Sequence, residues 1–140
     1  MTTASRSVGR RRRGRELALR VLFELEGTQK SADWALRYQA DDMQTPPDVT
    51  AFAREIVAGC LAHAGDVDAA IERASQHWAL VDLGKVERAL LRMGVYELRH
   101  EPGTPVAVVI DESVELAKAY AGEDAAHFVN GVLGEVARWP

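Results

Sequence analysis

Thr104-Pro105-Val106-Ala107-Val108-Val109-Ile110-Asp111-Glu112-Ser113-Val114-Glu115-Leu116-Ala117-Lys118 is the stretch on which the fold class turns. Taken alone, Val106 to Ile110 is rich in β-branched residues and is the one tempting strand in the chain. Its flanks decide against a strand. Thr104 offers a hydroxyl N-cap, and Pro105 falls at the first helical position, where a missing N–H costs nothing. Val109, Val114, Leu116, Ala117 and Tyr120 then recur at helical spacing up to a stop at Gly122. The stretch is a helix, and no other segment offers a strand for a sheet.

The same reading extends in both directions. A helix from about Asp124 to Arg138 carries Phe128, Val129, Val132, Leu133 and Val136. Asn130 and Gly131 interrupt it with poor helix formers, costing up to ~1 kcal/mol each relative to alanine. They are read as close helix–helix packing at Gly131, with Asn130 bonding a neighbouring backbone group. Upstream, Asp82 opens a helix with Val86, Leu90, Met93 and Leu98, which ends near His100 before Pro102-Gly103. Asp66 caps the helix before that, with Val67, Ala70, Ile71 and Ala74. Gly65 separates it from one that starts near Asp48 and shows Phe52, Ile56, Val57, Cys60 and Leu61. Residues 40–47, with two aspartates and two prolines, read as a loop.

Ser31 caps a short helix over 31–39, with Trp34, Ala35 and Tyr38 on one face. The first helix runs from about Arg12 to Glu26 on a stripe of Leu17, Ala18, Val21, Leu22 and Leu25, stopped by Gly27. Residues 1–9 are small and polar and are expected to be disordered. The predicted architecture is all-α, with about seven helices. It forms one helical domain over 10–140, made of subdomains at about 10–79 and 80–140.

At 140 residues the chain is long enough for a stable core. Its one cysteine, Cys60, excludes an internal disulfide and fits a reducing compartment. No apolar run approaches the ~20 residues of a membrane span. The basic N-terminus has no apolar segment behind it, so it does not read as a secretory signal. A transit peptide is set aside because the basic segment runs straight into an amphipathic helix. The expected location is the cytoplasm.

Charge is distributed unevenly. Residues 1–20 hold seven arginines and one acid, for +6, while the whole chain is −4, leaving −10 on the remainder. A basic arm on an acidic body predicts a polyanion bound at one end and a different partner elsewhere. Every base in the arm is arginine, which forks onto phosphate and stacks on bases better than lysine does. Arg12, Arg15 and Arg20 are placed on the polar side of the first helix as a rigid comb. With roughly three to five arginines on phosphate, log K should fall with log salt at about −2 to −3.5.

Enzymatic constellations are not found. Cys60 and His63 stand at i, i+3, but a lone cysteine is more often a small apolar filler. His63, His77, His100 and His127 lack the usual metal-ligand spacings, so no metal is assigned. Asp111, Glu112 and Glu115 cluster on one helix and are read as a solvated face. The glycines form no nucleotide-binding fingerprint, and no cofactor is implied. Phe128, near a helix start, is read either as core or as a ring presented to a ligand.

Four stretches carry a resemblance. They are Arg11-Arg12-Arg13-Gly14-Arg15-Glu16-Leu17-Ala18; Val86 to Met93 with Tyr96-Glu97-Leu98; Pro105 to Lys118; and Phe128-Val129-Asn130-Gly131-Val132-Leu133. Together they resemble the NusB antitermination factors, in order and over nearly the whole chain. The resemblance implies two helical subdomains packed side by side. It implies binding of a short single-stranded boxA-type RNA together with the small-subunit ribosomal protein NusE, in a complex that helps RNA polymerase pass terminators, without catalysis.

By that resemblance Arg11, Arg12, Arg13, Arg15, Arg20, Phe23, His127 and Phe128 are assigned to RNA, and Glu87, Arg92 and Asp124 to the protein partner. The sequence departs from the family at three of these positions. Arg20 and Phe23 stand where glutamine and tyrosine are frequent, and His127 where lysine is. The alternatives are a homodimeric structural or general RNA-binding module, and a domain related to that of RNA cytosine methyltransferases. The latter is expected to fail because the sequence ends at Pro140 without a catalytic domain. Homodimerisation stays open.

Overall fold

The computed structural model describes residues 3–76 and 78–140, with side chains from residue 9 onward. His77 and the start of the segment expected to be disordered lie outside the described residues. Among the described residues there are seven α-helices, one 3-10 turn and no strand. Val106–Ala121 is helical throughout, as its flanks predicted. The chain divides into two compact units, Met1–Gly59 and Cys60–Pro140.

The first unit holds α1 (Thr3–Leu25), α2 (Ala32–Met43) and most of α3 (Pro47–Ala62). The backbone of α1 is helical from Thr3, where disorder had been expected as far as residue 9. Leu17, Ala18, Val21 and Leu22 are buried as the stripe predicted, but Leu19 and Arg15 are buried too, so α1 is covered on more than one side. Ser31 caps α2 as expected, its hydroxyl accepting from the Trp34 N–H.

The buried face of α2 is Ala35, Leu36, Ala40 and Met43, while Trp34 and Tyr38 are exposed and stack on each other at 5.3 Å. The expected loop over 40–47 is shorter than predicted, because α2 continues to Met43. Gln44 then turns left-handed (φ 55°), its N–H donating to Asp41 while that of Thr45 donates to Ala40. That conformation costs a non-glycine residue ~1 kcal/mol, offset here by satisfying the terminal carbonyls. Pro47 starts α3, and the Thr45 and Thr50 hydroxyls meet at 2.8 Å across the turn.

The second unit holds α4 (Ala64–Ala74), the 3-10 turn Leu80–Asp82, α5 (Lys85–His100), α6 (Val106–Ala121) and α7 (Glu123–Ala137). Helix α4 packs on α5 and α7, so it belongs here. That moves the boundary from the expected 79/80 to 59/60. The break before α4 falls at His63, its N-cap, and neither Gly65 nor Asp66 makes it. Asp82 ends the 3-10 turn, and Gly84 is the N-cap of α5. Pro105 is the N-cap of α6, one residue earlier in role than predicted.

Close packing falls at Gly94 on α5. A Cβ there would lie 2.7 Å from a methyl of Leu133 on α7. Gly131, the position predicted for that role, is exposed, with open space where its Cβ would be. Asn130 is also exposed. Gly122 joins α6 to α7 at φ 100°, a conformation costly for any side chain, and its N–H closes α6 onto Ala117.

Candidate functional site

The basic residues of α1 do not form a uniform comb. Arg10 pairs with Asp48 at the start of α3, and the hydrogen bond from Arg10 holds the Asp48 carboxyl below its ordinary range. Arg11 is exposed, its guanidinium 5.1 Å from the centre of the Phe52 ring. Arg12 is exposed. Arg13 donates to the Met43 carbonyl at 2.7 Å and reaches Glu16 at 3.1 Å, so it ties α1 to the end of α2.

Arg15 is only 2% exposed and lies 5.4 Å from the Phe52 ring. It is therefore not on the polar side of the helix. Gly14 explains the approach: a Cβ there would sit 2.5 Å from Phe52 Cδ2, so the ring fills the space that a side chain would take. Arg20 is partly exposed and 3.5 Å from Asp42, and Phe23 is 42% exposed. Arg11, Arg12 and Arg13 are thus exposed and Arg20 partly so, while Arg15 is buried. Phe52 and Asp48, which organise the segment, were read only as a stripe residue and a helix start.

In the second unit a cavity of about 330 Å³ is lined by Trp78, Leu83, Gly84, Glu87, Asp124 and Phe128, among others. Three of the predicted site residues therefore meet in one place. Phe128 is half-buried on its wall, neither fully core nor fully presented. Glu87 is also half-buried, and its carboxylate folds back over Gly84, so that a Cβ there would lie 2.6 Å from Oε2 and push the flexible side chain aside. Asp124 is in the first turn of α7, where a carboxylate suits the helix dipole. Arg88 donates to the carbonyls of Leu80 and Leu83 and so pins the turn that forms the rim.

Arg92 does not join this cavity. Its guanidinium makes a two-pronged pair with Asp68 on α4, at 2.9 and 3.1 Å, which makes it a strap between α5 and α4. His127 is exposed beside Phe128 in sequence and does not line the cavity. Trp78 and Leu83 were missed, because their side chains carry no charge pattern and reach the cavity only through the 3-10 turn.

Cys60 is buried and donates from Sγ to the Arg92 carbonyl at 3.6 Å. Burial pushes its thiol up to about 12, which makes it a filler and not a nucleophile. The acid cluster on α6 is not a uniform solvated face. Asp111 and Glu115 are exposed, with Glu115 paired to Lys118, but Glu112 is buried. No helix among the described residues is long and apolar enough to cross a membrane.

A model of the NusB family matches residues 12–138. A transcription antitermination protein NusB of Myxococcus xanthus is 39% identical, covering 93% of this chain and 96% of that protein. Its counterpart in Sorangium cellulosum is 41% identical, covering 93% of each. Among solved structures, T. maritima NusB superposes with a TM-score of 0.84 at 32% identity, over 91% of this chain and 90% of that one. A crystal structure of the antitermination factors NusB and NusE in complex with double-stranded RNA superposes with a TM-score of 0.85 at 29% identity. It covers 93% of this chain and 97% of that one.

Proposed function

The chain belongs to the NusB family, and from that premise we propose that it is a non-catalytic transcription antitermination factor of the cytoplasm that binds boxA-type RNA together with the ribosomal protein NusE. The observation that carries this reading is the superposition, nearly end to end on both chains, with a factor crystallised with NusE and RNA. RNA in that neighbour is double-stranded. The reading for this chain is a single strand, because exposed arginines beside aromatic rings serve unpaired bases as well as phosphates.

In the first unit, Arg11, Arg12 and Arg20 contact RNA phosphates, with Phe23 beside them on the same helix. Arg13 and Arg15 act indirectly, by fixing α1. In the second unit, Phe128 stacks on a base, with His127 next to it. Glu87 and Asp124 meet the basic ribosomal protein, whose charge they complement, and Arg92 holds α5 in place for that contact. RNA polymerase is engaged through the assembled complex. No cofactor takes part.

Binding of a labelled boxA-like single strand, titrated with and without the ribosomal protein and against a duplex of the same sequence, tests this. The single strand should bind more tightly than the duplex, and the ribosomal protein should tighten it further. With two to three arginines on phosphates, the slope of log K on log salt should be about −1.4 to −2.1. Glu87→Lys should leave RNA-only binding intact and remove the gain from the partner. Equal binding of duplex and single strand, or a partner that binds the variant as well as the wild type, would refute these assignments.

A further inference from the structure

We propose that His63, Asp66 and His100 form a binding site for one divalent transition-metal ion, zinc by preference. This goes beyond the RNA-binding role and does not depend on it. His63 is the N-cap of α4, Asp66 lies in the first turn of that helix, and His100 is the last residue of α5. His100 Nε2 is 2.9 Å from Asp66 Oδ2, and His63 Nδ1 is 3.8 Å from Asp66 Oδ1. One ligand atom from each of the three residues lies within 4.8 Å of the others.

A tetrahedral zinc with bonds of about 2.0–2.2 Å sets its ligands roughly 3.3–3.5 Å apart. The three atoms therefore need a contraction of up to about 1.4 Å at the widest pair. Side-chain rotation supplies that, since His63 and Asp66 are 43% and 52% exposed.

Chemistry selects the ion. Two imidazoles and one carboxylate suit zinc and its transition-metal neighbours, whereas magnesium and calcium prefer oxygen ligands throughout. The imidazole rings stack face to face at 3.8 Å, with Tyr96 against both at 5.9 and 5.7 Å, so one ring must turn out of the stack before both in-plane lone pairs can meet one ion. Tyr96 is itself fixed by donating its hydroxyl to Glu101 at 2.8 Å. Two of the three ligands, Asp66 and His100, also line a cavity of about 320 Å³ with Val106, Val136 and Trp139. That space accommodates a water or a small anion as the fourth ligand. The spacing rules applied to the sequence missed the set because His100 comes from a different helix, and only the packing of α4 on α5 brings it in.

The full chain, without an affinity tag and stripped with a chelator, is titrated with zinc chloride by calorimetry and with cobalt by visible absorption. One ion per chain is expected, with the cobalt spectrum of a four-coordinate site and a melting temperature that rises with zinc. His63→Gln, Asp66→Asn and His100→Gln should each weaken zinc at least tenfold and abolish the melting shift, while His127→Gln changes neither. Far-UV circular dichroism checks that each variant is helical. Asp66→Asn alters only an exposed side chain, so it serves as the test if a histidine variant fails to fold. Absence of zinc binding to the wild type, or affinity undiminished by Asp66→Asn, overturns the site.

Discussion

Arg11 and Phe128 stand for two kinds of surface. Around Arg11, a run of bases contiguous in sequence lies along one helix, and its neighbours are Asp48 and Phe52 of α3. Around Phe128, the cavity is assembled from the segment after α4, the 3-10 turn, α5 and α7, with carboxylates and rings facing one space. The first was visible as composition, but composition overstated it. Burial withdraws Arg15 from solvent-facing duty, and Arg13, though exposed, is tied to the Met43 carbonyl and Glu16. The second was visible only as isolated residues, Glu87, Asp124 and Phe128, and the fold united them. Charge in a sequence therefore locates a surface, while contacts decide which side chains it can use.

The largest effect is expected where the basic segment meets the core. Gly14→Val would force Phe52 out of its place and cost up to ~3 kcal/mol, as overpacking does, measured by urea denaturation. If its stability matched the wild type, the approach of α1 to Phe52 would not be as described. Next come two neighbouring arginines with opposite roles. Arg15→Ala should lose about 2 kcal/mol, because a desolvated guanidinium and its stem leave an aromatic face. Arg11→Ala should change stability by no more than ~0.5 kcal/mol and weaken RNA binding instead. Equal stability losses in the two would erase the distinction drawn within the segment.

The cavity is then probed by Phe128→Ala. A half-buried ring should cost about 1–2 kcal/mol of stability, well below the 3–5 of a core phenylalanine, while RNA affinity falls by ~1–3 kcal/mol. A melting curve beside a binding titration separates the two, and a core-sized loss with unchanged RNA affinity would make Phe128 a packing residue only. The smallest effect belongs to the other glycine of the shared motifs. Gly131→Ala should be neutral or stabilise by up to ~1 kcal/mol, since it is mid-helix with open space around it. A destabilised Gly131→Ala would place a contact there that the structure lacks.

Helix positions were legible in the sequence because their signals are local. Apolar spacing, the Ser31 cap and the Pro102-Gly103 stop each act within a turn or two, and Val106–Ala121 followed from them. The same local signals misplaced the break before α4, since a helix end at His63 has no cap residue to announce it. The basic arm and the acidic remainder were also legible, being matters of composition.

What tertiary structure alone decided is every relation between residues far apart in the chain. It placed α4 with α5 and α7, moved the close-packed glycine from 131 to 94, and buried Arg15 over Phe52. It also set His100 against His63 and Asp66. Packing determines these because a side chain's exposure and partners depend on what covers its helix. A periodic pattern states which face is apolar, but not which neighbour meets it.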